Sequence, residues 1–290
     1  MTAFLIWQGV GITPDRYAFG LVFISLFLKR TRKFLLDWTP FLFILISYDF
    51  FRAFADRLNP RVNYLPQIKA DELLFGQLPT ITLQNAFYKA GSLAWYDYGA
   101  TILYFLHFAL PLGFGFILWL KNRKYFIEFT TSLIFLSYAG FFTYVLFPAA
   151  PPWLSSNLGI LPPLPKILDF TLQSFPDKLN LPSVYHSFNP NLVAAIPSLH
   201  AAYPLLVFMF FLRYFKKKAP FFFLYVVAVW ISLVYLGEHY AIDVIIGAIY
   251  ALVFYYLAHA ALKIKFSFTP SRWQRKLLKL RVRQTNEINY

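Results

Sequence analysis

The chain has 290 residues, 59% hydrophobic and 21% aromatic, with 14% charged and a formal net charge of +14. Soluble domains carry roughly 25% charged residues, so a water-soluble fold of this length is excluded. The absence of cysteine excludes a disulfide framework, a thiolate zinc site and a cysteine nucleophile.

Apolar residues come in blocks. The first, Tyr17–Leu28, is short, and Phe4–Val10 would lengthen it across the break from Gly11 to Asp15. Six further blocks run Trp38–Phe54, Tyr98–Leu120, Tyr125–Phe147, Ala194–Leu212, Ala219–Leu236 and Tyr240–Leu262. Each approaches or exceeds the ~20 residues that cross a bilayer core. The predicted fold is all-α: a polytopic membrane helical bundle with six core spans plus a short N-terminal span. Residues 1–265 are expected to form a single membrane-embedded domain, and 266–290 a basic cytoplasmic tail. The N-terminus shows no basic region and no small-residue cleavage site, so a cleaved signal peptide is not expected.

The loops set an orientation. Lys29–Lys33, Lys121–Lys124, Arg213–Lys218 and the tail from Lys263 to Arg283 hold most of the 27 basic residues, all in alternate connections. Positive loops stay cytoplasmic, which predicts the C-terminus inside and the N-terminus outside. The excess charge is then a topology signal and an attraction to anionic head groups; no nucleic-acid partner is called for. The opposite face carries two long connections, Ala55–Asp97 and Pro148–Val193, rich in Pro, Asn and polar residues. Trp95, Tyr96 and Trp153 sit at their edges, as interfacial anchors do.

Ionisable groups within or beside membrane spans are costly and default to functional candidates. Leu236-Gly237-Glu238-His239-Tyr240 joins the last two blocks, and Asp243 follows His239 by four residues, on one expected helical face. A carboxylate there fixes the tautomer of His239 and leaves its other ring nitrogen a free lone pair. Ile196-Pro197-Ser198-Leu199-His200 opens the fifth block. Pro197 suits a first helical turn, and a helix start with free N–H groups and the Ser198 hydroxyl suits phosphate. The basic-loop count sends both motifs to the same membrane face.

At these residues the sequence resembles the type 2 phosphatidic acid phosphatase superfamily, over about Phe147 to Ala251. Pro197-Ser198-Leu199-His200 is similar to its Pro-Ser-Gly-His motif, and His239 to Asp243 to its His-x-x-x-Asp motif. Two departures stand out. Ser232-Leu233 replaces Ser-Arg, and Phe147-Pro148 stands where Arg-Pro would, so the usual phosphate-binding Lys and Arg are missing. Phe147-Pro148-Ala149-Ala150-Pro151-Pro152-Trp153 instead looks like the branch of inositol phosphorylceramide synthases, as does Leu199.

The resemblance implies head-group transfer from a phospholipid donor to a lipid alcohol, or phosphate-ester hydrolysis with water as acceptor, without metal or cofactor. The expected catalytic residues are His239 as nucleophile forming a phosphohistidine, His200 as acid and base, and Asp243 as the stabiliser of His239. Ser198 and Arg52 are the expected substrate-binding residues. Arg52 shares a helical face with Asp49 and Asp56; it is read as a replacement phosphate ligand, against an internal ion pair with Asp49. His107 falls mid-span, where packing competes with substrate contact, and Asp71, Glu72 and Gln84 are candidates for head-group selection. Three other readings are a lipid or polyprenyl phosphate phosphatase, a non-catalytic transporter or scaffold, and a haem protein. The separation of His200 from His259 argues against the haem.

Overall fold

A computed structural model describes residues 21, 23–26, 29–52, 55–176, 181–182, 185, 191–216 and 219–267, with backbone alone at 49, 56–57, 108 and 264–267. Most of the short first block, the end of the second (53–54), Lys217, Lys218 and the tail beyond 267 lie outside the described residues. Six long apolar helices coincide with the six longer blocks: α1 (Thr31–Arg52), α5 (Trp95–Lys121), α6 (Arg123–Leu146), α9 (Leu199–Phe215), α10 (Ala219–Tyr235) and α11 (Ala241–Ser267). Among the described residues α1, α6 and α11 are long and apolar enough to cross a membrane. The bent α5 is a fourth such span if taken whole, and α9 and α10 are 17-residue apolar helices.

Several boundaries differ from expectation for local reasons. Helix α1 starts seven residues before Trp38, because Arg32 and Lys33 are good helix formers and their long stems can lie along apolar surface. Helix α9 starts at Leu199 rather than Ala194, because the residue before a proline is kept out of the helical region, here Ile196 before Pro197. Both long connections contain short helices. The first folds into α2 (Ala55–Leu58), α3 (Leu65–Phe75) and α4 (Pro79–Phe87), the second into α7 (Pro152–Asn157) and α8 (Ile167–Gln173). Prolines within the first two positions start α3, α4 and α7, where the missing N–H costs nothing.

Helix α9 is central and packs on α5, α6, α10 and α11. Its Ala201 and Ala202 are fully buried, small enough to let neighbouring backbones approach. The closest approach is to α11: a Cβ on Gly247 would lie 2.3 Å from the Ser198 carbonyl oxygen. Ser198 N–H also donates to the Asp243 carbonyl at 3.0 Å. The start of α9 is thereby pinned to the first turns of α11.

Helix α5 bends by 49° between Trp95–His107 and Ala109–Lys121. Pro111 explains the bend, since it cannot donate to the carbonyl four residues back, that of His107, and its ring clashes there. Three loop strands meet above the bundle. Ala149 N–H donates to Val193 at 2.7 Å, Ala195 N–H to Ala149 at 3.2 Å, and Asn63 N–H to Pro148 at 2.8 Å. The segment that follows Phe147 is therefore stitched to both long connections.

Candidate active site

His200 is the second residue of α9. Ser198 is the N-cap: its Oγ accepts from the Ala201 N–H at 3.2 Å. Pro197 stands before the cap, not in the first turn as expected, and its carbonyl accepts from Tyr144 Oη at 2.9 Å. The Ser198 side chain is fully buried and does not line the cavity described below, because its oxygen is committed to the cap.

His239 lies in the turn between α10 and α11, ahead of the helix rather than on it. The turn depends on Gly237, whose φ of +79° is open to glycine and whose Cβ would meet Leu164 at 2.9 Å. Gln84 supports it from α4, donating to the carbonyls of Tyr235 at 2.8 Å and Pro165 at 3.1 Å. Two carboxylates then satisfy the first donors of α11. Asp243 Oδ2 accepts from Tyr240 N–H at 3.0 Å, and Asp71 of α3 accepts from Ala241 and Ile242 at 2.9 and 2.8 Å. Both complement the positive end of the helix dipole.

These contacts bring the two histidines together. His239 Nε2 and His200 Nδ1 are 3.1 Å apart, and His239 Nδ1 is 3.6 Å from Asp243 Oδ2. The i to i+4 pairing holds, but it is made by a turn residue facing the first helical turn. With the Nδ1 proton of His239 turned toward Asp243, Nε2 presents its lone pair, and His200 Nδ1–H is the donor facing it. This is the tautomer pair that phosphoryl transfer would use; at 3.6 Å the His239 to Asp243 contact is an ion-pair distance, longer than a hydrogen bond.

Arg52, at the end of α1, lines the same cavity as Tyr48, Tyr104, His107, Tyr144, Trp153, Asn191, His200, Tyr203, Glu238 and His239. The structure thus brings Arg52, His200 and His239 to one cavity and holds Asp243 directly behind His239. Asp49 and Asp56 have side chains outside the described residues.

His107, ambiguous from its mid-span position alone, lines the cavity with its ring centroid 3.9 Å from that of His200. Tyr104, one turn earlier, stacks on His200 at 4.6 Å and 24°. Their i, i+3 spacing was the available signal. Trp153 lines the cavity instead of serving only as an interfacial anchor, while Trp95 is 83% exposed. Asp71 and Gln84 hold backbone rather than face the cavity.

Two acidic groups outside the spans have shifted ionisation. Burial, with some repulsion from Asp243, pushes Asp71 up to about 6 against its two backbone donors. Burial likewise raises Glu238, opposed mainly by the nearby Lys166. Among the described residues no group of three His, Asp or Glu has the geometry to hold a metal ion.

A multi-pass membrane bundle with two facing imidazoles, one backed by a carboxylate, and an arginine in the same cavity defines a class: membrane enzymes of phosphoryl transfer or phosphate-ester hydrolysis. The chain belongs to the PAP2 superfamily, whose family model matches residues 69–257. It is 28% identical to the phosphoinositol dihydroceramide synthase of Bacteroides thetaiotaomicron, over 84% of this chain and 83% of that protein. It is 26% identical to the inositol phosphorylceramide synthase catalytic subunit of Saccharomyces cerevisiae, over 88% of this chain and 63% of that one. The Schizosaccharomyces pombe counterpart is 24% identical over 82% of this chain and 57% of its own length. No solved structure matches.

Proposed function

We propose that the protein transfers an inositol-phosphate-type head group from a phospholipid to a ceramide-like lipid alcohol, with His239 as nucleophile. The observation that carries this reading is the facing pair, His239 Nε2 and His200 Nδ1 at 3.1 Å, in a cavity shared with Arg52. The names of the relatives support the substrate class.

In the first half-reaction a donor phosphodiester parts the two rings. His239 Nε2 forms a bond to phosphorus while the bond from phosphorus to the donor's lipid oxygen breaks. That oxygen takes the Nδ1 proton of His200, and Asp243 stabilises the imidazolium character of His239. In the second half, His200 Nδ1 takes the proton of the incoming lipid hydroxyl, whose oxygen attacks phosphorus. The P–N bond breaks and both histidines return to their starting forms. Arg52 compensates the phosphate charge, in a position that fits the role the missing family cations would fill. The alternate-loop distribution of Lys and Arg supports a site on the non-cytoplasmic face and a cytoplasmic tail.

The deciding experiment incubates the purified protein with a defined inositol phospholipid, with and without a ceramide acceptor, and identifies products by mass spectrometry. Acceptor-dependent head-group transfer with release of the donor's diacylglycerol is expected. Head-group phosphate released equally without acceptor would make the protein a hydrolase and overturn the transferase reading.

A further inference from the structure

One wall of the cavity is backed by a charge cluster that the phosphoryl chemistry does not use. Lys166, in the loop before α8, has its side chain only 9% exposed. Its Nζ lies 4.4 Å from the ring centroid of Trp153 and 4.7 Å from that of Tyr185. It is 3.7 Å from Glu238 Oε1 and 3.2 Å from Asp169 Oδ1. Two aromatic faces with a carboxylate make the kind of box that binds quaternary ammonium groups. Here the chain's own ammonium fills it.

Trp153 and Glu238 also line the cavity beside His239. Glu238 is 5% exposed and its Oε2 accepts from Tyr185 Oη at 3.3 Å. Its Oε1 and the Nε1–H of Trp153 have no hydrogen-bond partner among the described residues. Oε1 has the 3.7 Å ion pair with Lys166 but no hydrogen bond, and the Trp153 donor has none either; a buried polar atom without a hydrogen bond is costly. A carboxylate so close to a phosphate site repels phosphate oxygens. It needs a neutral donor, and a hydroxyl both donates and accepts. A quaternary ammonium does neither, and the position it would occupy is taken.

We propose that Lys166, Glu238 and Trp153 are the head-group selector of this site. Glu238 and Trp153 receive the hydroxyls of a polyol head group, and Lys166 excludes choline-type head groups by occupying the aromatic box. The inference rests on the transferase reading for its donor, but it concerns binding and is measured separately from turnover.

The test uses the purified full-length protein in detergent, with two soluble probes, glycerophosphoinositol and glycerophosphocholine, and dissociation constants from calorimetry. The wild type is expected to prefer the polyol ester by about tenfold or more. Lys166→Ala, which empties the box, should erase that preference, mainly by admitting the choline ester, and Lys166→Arg should retain it. Glu238→Gln, which keeps the shape, should weaken polyol binding several-fold more than choline binding and decides the matter if Lys166→Ala does not fold. Equal affinity of the wild type for both probes, or equal weakening of both in Glu238→Gln, overturns the selector. Absence of transfer product in the lipid assay, with the binding preference intact, overturns the transferase reading instead.

Discussion

At the end of the bundle where α1 and α6 begin, stability comes from stacked and edge-on aromatic rings. Trp38 is fully buried, 5.1 Å from both Phe34 and Phe126, and Phe129 is wedged edge-on against Phe114 and Phe210. The carboxylates there are each paired with an arginine, Asp37 with Arg123 and the buried Glu128 with Arg213. At the other end, where α9 and α11 begin, buried groups are polar: His107, His239, Asp243, Asp71 and Glu238 are each at most 5% exposed. One end pairs its carboxylates with arginines amid aromatic packing; the other gathers several buried polar groups behind hydrogen bonds from helix starts and loop backbone. Buried polar clusters of this kind are retained for chemistry, since apolar packing would hold the helices at lower cost.

Substitutions at the two ends should therefore fail in different ways. The largest effect is expected for His239→Ala: turnover falls on the order of a thousandfold or more, with the melting temperature little changed. Near-normal activity would sink the nucleophile assignment, and a trapped phospho-adduct at His239 would establish it. Phe129→Ala should do the converse. It costs about 3–5 kcal/mol of stability, read from denaturation in detergent, while activity per folded molecule is kept. Arg52→Ala should lower kcat/KM by about ten- to a hundredfold, as for loss of a charged hydrogen bond to phosphate, with no comparable loss of stability. A loss of stability alone would return Arg52 to a packing role.

The smallest effect sharpens the comparison through pH. The ionisation of Asp71 is raised to about 6 in the fold, above its unfolded value. Between roughly pH 4 and 6 the native state therefore binds more protons than the unfolded one, and stability falls as pH rises. Any stability linked to this proton is fully present below that window and lost as pH rises through about 6. The melting temperature of the wild type relative to Asp71→Asn should accordingly rise on acidification from pH 7.5 to 4.5. A constant difference would mean that Asp71 does not titrate in this window.

Much of this was readable along the chain. Long apolar blocks can satisfy their backbone in a membrane only as helices, so the six longer elements followed from composition and length. His200 and His239 stood out because polar residues beside spans are expensive, and the two motifs around them carried the family. Other residues had no local signal. Lys166 reads as an ordinary loop lysine, Trp153 as an interfacial anchor and Asp71 as a head-group candidate rather than a support for the start of α11, until α8, α7 and α3 are in place. Even Ser198, which the motif marks as a ligand, is committed to capping α9.

The sequence by itself marked the membrane bundle, the two histidine motifs and the carboxylate four residues after one of them, because block length, cost of burial and spacing are properties of the chain. Only the tertiary structure decided that His107 and Tyr104 enclose His200, that Arg52 reaches the same cavity, and that Lys166 fills the aromatic box beside Glu238. Those placements depend on a bend at Pro111, on the close crossing at Gly247 and on loop pairing far apart in sequence, and no local pattern encodes the distances they create.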